Sequence, residues 1–317
     1  MRDGDLASTK TKGVYMSEET EYTAEELWDL IPRTSGKVRA EVMMALAKKV
    51  MFRSKHDALS LMQEATQIYE DPANEALISE KANAYLGLAY SLNQLELVDE
   101  ALVEMAKAIE LYKQDGFSFQ DDLLRSQAEM FSKVGNWQAA LECQLEAVRL
   151  NEIEGDQKFL GLSFQNAGNC LGELGQFAEA IEYHKKAVAI YTEVQELDEV
   201  GNCFEKIAEF YLELGEYVEA VAYGQRALNL SFFNYENESL AKTHLIMTKA
   251  FLAQGDLETS GQHLVDAQGL ANYASEKNWK LIAEVEQARI SHLKASGFAD
   301  SADEAEVRLS TLRELVK

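Results

Sequence analysis

Proline is nearly absent from this chain: among 317 residues there are two, Pro32 and Pro72. Proline breaks helices by removing a donor and clashing with the preceding turn, so its scarcity leaves long helices uninterrupted. Long apolar runs are missing too. No stretch approaches the ~18 residues a membrane-spanning helix needs, and the first twenty lack the apolar centre of a secretory signal. A cytoplasmic location with no membrane partner is the expectation. Cysteine is limited to Cys143, Cys170 and Cys203, an odd, scattered set without C-x-x-C spacing. That argues against a disulfide framework or a cysteine-ligated zinc site, and suits small buried apolar side chains in a reducing compartment. The five histidines (His56, His184, His244, His263 and His292) show no H-E-x-x-H or other ligand spacing. They are assigned to helix surfaces and packing, and neither metal nor cofactor is expected. Positive charge is short: 30 Lys and Arg against 54 Asp and Glu give a formal net charge of −24. Such a field repels a phosphate backbone, so nucleic acid is not an expected partner. Solubility alone accounts for an acidic surface; a basic partner is the sharper reading.

What is present is a helical, folding composition, 47% hydrophobic and 26% charged. It is also periodic. "LGQFAEAIEYHKKAVAIY" begins at Leu174, and "LGEYVEAVAYGQRALNL" begins forty residues later at Leu214. Glycines 135, 175, 215 and 255 keep the same interval. Two positions after each comes a large apolar residue: Trp137, Phe177, Tyr217, Leu257. Small residues follow at five positions (Ala140, Ala180, Ala220, Ser260) and at twelve (Ala147, Ala187, Ala227, Ala267). Seven positions before each glycine stand Ala128, Gly168, Ala208 and Thr248. Upstream, Glu96 takes the glycine's place with Ala89, Ala101 and Ala108 in register, and Arg53 does so more weakly with Ala58 and Ala65. Downstream, Gly297 and Ala302 mark a degenerate last copy. Glycine closes a helix cheaply in the left-handed conformation, and small residues let two helices approach. A single hairpin cannot bury its apolar face, so hairpins stack.

This pattern resembles the tetratricopeptide repeat, most closely in "FQNAGNCLGELGQFAEAIEYHKKAVAIY" from Phe164 to Tyr191. The forty-residue unit is similar to that of kinesin light chain, Pins-type adaptors and Rap-type peptide sensors. The proline usual at the end of the second helix is missing from every copy. The resemblance implies an all-α, right-handed superhelical solenoid of about seven antiparallel hairpins over residues 37–317. Residues 1–36 are read as a mobile segment with a short capping helix near 23–31, and Met16 is a second candidate start. Thr23 and Glu26 have capping-box spacing, and Leu27, Trp28, Leu30 and Ile31 form a short apolar face. That face either caps the first hairpin or docks another protein.

Catalytic signatures are missing. "PRTSGKV" lacks the first glycine and the Ser or Thr of a phosphate loop, and no strand precedes it. No enzyme is expected. The resemblance places a peptide-binding groove on the first helix of each hairpin. Counting from the glycine column, the groove candidates are Asn83, Tyr90, Arg125, Glu129, Gln165, Asn169, Asn202, Glu205, Glu209, Lys242 and Lys249. Asn and Gln both donate and accept, as a peptide backbone requires. Asn169 and Asn202 lead that set, and Glu205, Glu209 and Glu213 favour a basic side chain nearby. The expected function is a non-enzymatic adaptor, scaffold or chaperone-like regulator that binds a protein or peptide segment. Two alternatives stand beside it. One is a Rap-type peptide-sensing regulator, whose segment before residue 37 is too short for a DNA-binding domain. The other is a self-assembling subunit forming homo-oligomers.

Overall fold

In the computed structural model, residues 22–116, 120–230, 237–273 and 278–316 are described. The expectations for Met16 and a mobile segment over residues 1–20 lie outside them. Fifteen α-helices and two short 3-10 turns, with no strand, make up the described residues. Among these residues no helix is long and apolar enough to cross a membrane.

The chain divides into two compact units, Met1–Asn136 and Trp137–Lys317. The first holds α1 (Ala24–Leu30), the pair α2 (Gly36–Val50) and α3 (Lys55–Glu70), the pair α4 (Ile78–Gln94) and α5 (Val98–Asp115), and α6 (Gln120–Lys133). The second holds α7 (Trp137–Glu154) and four pairs. These are α8 (Gln157–Glu173) with α9 (Phe177–Glu193), α10 (Leu197–Glu213) with α11 (Tyr217–Leu230), α12 (Asn237–Ala253) with α13 (Leu257–Tyr273), and α14 (Trp279–Ala295) with α15 (Ala299–Leu315). Within each unit consecutive helices pack on one another. This is an all-α helical-repeat fold.

The repeated columns are the joints. Ala140, Ala180, Ala220 and Ser260 are fully buried, as are Ala147, Ala187 and Ala267, with Ala227 at 1% exposure. Seven residues are nearly two helical turns, so both columns fall on one face. The turn between paired helices repeats as well. Gly175 sits at φ 74°, its N–H donates to Gly172 O, and the Gln176 N–H reaches back to Leu171 O at 2.9 Å. The same bonds close the turns at Gly135, Gly215, Gly255 and Gly297. At the equivalent position Glu96 adopts φ 63° and the Leu97 N–H bonds Leu92 O, so a non-glycine residue bears the left-handed strain. Arg53 stays out of that region.

At the start of the chain Thr23 and Glu26 cap α1 reciprocally, with the Thr23 N–H donating to Glu26 Oε2 at 2.8 Å. Leu27 and Ile31 enter the core beside α2, while Trp28 turns outward and is 47% exposed.

Candidate functional site

In the second unit α8, α10, α12 and α14 are the first helices of successive pairs, and α12 touches both α10 and α14. On α10 the buried side includes Val200, Cys203, Ile207 and Phe210. Lys206, Glu209 and Glu213 follow at spacings of three and four, which keeps them on one face. That face lines two contiguous cavities. One, of about 410 Å³, is walled by Trp137, Phe177 and Phe210 and carries Asn169, Lys206, Glu209 and Glu213. The other, of about 370 Å³, adds Glu205, Lys242, Leu245, Ile246 and Lys249, then Lys280, Leu281 and Glu284 from α14. Glu173, Lys206, Glu209 and Glu213 line both, so the two form one groove.

Both charge signs are present there. Lys206 Nζ holds Glu209 at 2.8 Å and Lys242 holds Glu238 at 2.7 Å. Burial opposes the charge on Lys206, yet Glu209, Glu205 and Glu173 hold its pKa above the ordinary lysine value. Among the described residues no ion pair holds Lys249 or Lys280. Glu205 is different. It is 9% exposed and accepts hydrogen bonds from Ser239 Oγ at 2.5 Å and Thr243 Oγ1 at 3.3 Å. Burial pushes its carboxyl above the usual range. Asn169 Oδ1 is buried and has no hydrogen-bond partner, although its residue lines the cavity.

Six of the residues singled out in the sequence therefore come together: Asn169, Glu205, Glu209, Glu213, Lys242 and Lys249. Gln165 and Asn202 are engaged differently. Both donate to Glu199 Oε2, at 3.1 and 3.2 Å, and Gln165 Oε1 also accepts from Tyr191 at 2.8 Å. The first-unit candidates make local bonds. Asn83 accepts from Tyr112 at 2.6 Å, Tyr90 lies 3.2 Å from Ser126 Oγ, and Glu129 pairs with Lys133 at 3.2 Å. Arg125 pairs with Asp121 at 2.6 Å and with Asp122. Lys206, Lys280, Glu284 and Phe210 line the groove without having been singled out. Lys206 lies one residue beyond a groove position, and the walls Trp137 and Phe177 belong to a column whose sequence signal is packing at the turn.

Residues 119–193 match the family described as tetratricopeptide repeat. With the forty-residue period and the fold, this shows tetratricopeptide repeats in that segment, within a helical-repeat chain. No curated protein matches the chain in sequence. Among solved structures, the apo form of RapI is similar with a TM-score of 0.66 and 14% identity, over 87% of this chain and 98% of that one. Aspartyl phosphate phosphatase F from Bacillus subtilis gives 0.60 and 15%, over 93% of this chain and 76% of its own. A Rap protein complexed with Competence and Sporulation Factor gives 0.51 and 16%, over 92% and 79%. At these identities the likeness is one of fold.

Proposed function

We propose that this chain is a non-enzymatic adaptor or regulator that binds an extended protein segment in the groove of α8, α10, α12 and α14. The observation that carries the reading is Asn169. A buried side-chain oxygen without a partner is costly in a finished interior, and here it belongs to a residue lining an open cavity. Turning the amide about its terminal torsion brings that oxygen to the cavity, where a peptide backbone N–H supplies the missing donor. Around it, Glu209 and Glu213 suit a basic side chain, and Lys249 and Lys280 suit an acidic group. The apolar walls at Trp137, Phe177 and Phe210 suit a hydrophobic anchor between them. The likeness to RapI and to the Rap protein complexed with Competence and Sporulation Factor, over 87% and 92% of this chain, supports a second reading, a regulator whose state responds to a bound peptide.

The test is selection of peptides from a displayed random library on the full chain, followed by titration of the best binder. Asn169→Ala is expected to weaken it by about 0.5–1.5 kcal/mol, one hydrogen bond's worth. Glu209→Lys and Lys249→Glu are expected to cost more and to lower the salt dependence. Unchanged affinity in all three, with melting intact, places the binding surface elsewhere.

A further inference from the structure

The α12–α13 pair brings together two histidines that stand nineteen residues apart in sequence. His244 on α12 and His263 on α13 face each other with Nδ1 atoms 2.9 Å apart. Asp266, one turn beyond His263, places Oδ2 3.6 Å from His244 Nδ1. The three donor atoms all lie within 4.8 Å of one another. The His263 ring is fixed by Phe251, stacked at 5.6 Å and nearly parallel. A shared proton accounts for the two nitrogens alone. It does not account for a carboxylate closing the third side.

We propose that His244, His263 and Asp266 bind a divalent transition-metal ion, zinc being the best match, and so clamp α12 to α13. Zinc sits about 2.0–2.1 Å from imidazole nitrogen and about 2.0–2.2 Å from carboxylate oxygen. Two donors sharing it therefore stand roughly 3–3.5 Å apart at the angles of a four- to six-coordinate ion. The separations of 2.9 and 3.6 Å lie close to that range. Two imidazoles and one carboxylate are borderline donors, which favour zinc over magnesium or calcium. Ligation needs neutral imidazoles, and burial holds both histidines below their ordinary pKa, against the pull of Asp266. Asp266 is 57% exposed, so an ion enters from solvent and water completes its shell.

The test uses the untagged full chain stripped with EDTA, titrated with zinc chloride against a chromophoric zinc indicator. One zinc per chain is expected, together with a raised melting temperature that magnesium does not reproduce. Asp266→Asn and His263→Gln each weaken zinc at least tenfold, while His56→Gln, on an exposed face of α3, leaves it unchanged. Asp266 projects into solvent, so its substitution tests the ligand set without disturbing the packing. Absence of zinc binding by the wild type overturns the proposal. So does equal affinity in the wild type and both ligand variants.

Discussion

The two units fill one position of the same template with different chemistry. Nine residues after the turn, the first unit places Met62 and Met105, both fully buried. The second unit places Gln144, His184, Gly224 and Leu264 there. The consequences show in the interiors. Among the described residues one apolar cluster runs from Leu27 to Met130 in the first unit, and three smaller ones lie in the second. Among the described residues, the buried polar atoms without a partner are Arg39 Nε in the first unit, and Gln144 Oε1, Asn151 Oδ1, Asn169 Oδ1 and both His184 nitrogens in the second. Small residues at the joints suffice to build the repeat. What fills the space between joints sets how well each copy is satisfied, and most of the unpartnered buried atoms lie in the second unit.

The largest effect expected is shared by both units, because the joints are common to them. Ala180→Arg in the second unit and Ala101→Arg in the first each force a long charged chain into a fully buried contact, costing several kcal/mol. Glu179→Arg, on the exposed face, costs under about 0.5 kcal/mol. Denaturant melts decide it: equal midpoints for Ala180→Arg and Glu179→Arg would sink the register.

A smaller effect separates the units. Burial of the His184 imidazole lowers its pKa to about 4 from an ordinary 6.5. As pH falls, the unfolded chain takes up the proton first. His184 therefore leaves stability intact above pH 6.5 and withdraws it progressively down to about pH 4, by on the order of 3 kcal/mol. His184→Met puts the first unit's residue in the second unit's place. It is expected to flatten this part of the pH–stability curve and to add about 1–2 kcal/mol at neutral pH by removing unpartnered nitrogens. Gly168 is what makes room here, since an added Cβ would lie 2.7 Å from the ring. A pH profile identical to wild type would show that His184 is satisfied in solution.

The smallest effect concerns the turns. Gly175→Ala meets no neighbour within 4 Å, so its cost is the left-handed backbone alone, about 1 kcal/mol. Glu96→Gly relieves the same strain in the first unit and is expected to gain up to about 1 kcal/mol. Opposite shifts in thermal melting check the pair; a loss in both would mean that Glu96 makes a contact worth more than its strain.

Much of this was legible in the amino-acid order. Helix pairs, turn glycines and buried small-residue columns follow from local rules: a period near 3.6, a left-handed closing residue, and close approach where side chains are small. Those constraints act within one repeat and are copied at forty-residue intervals, so the sequence by itself determined them. Tertiary structure decided what happens between repeats. Glu205 has the same helical offset as the half-buried Gln165 of α8, yet Ser239 and Thr243 from the next first helix cover it. Glu199 joins Gln165 of α8 to Asn202 of α10 because neighbouring first helices lie side by side. His244 and His263 carry no ligand spacing along the chain, and only the rotation of α13 about α12 sets their nitrogens 2.9 Å apart. A helical period assigns each side chain a face; which groups meet across that face depends on the depth and rotation at which the adjacent helix packs.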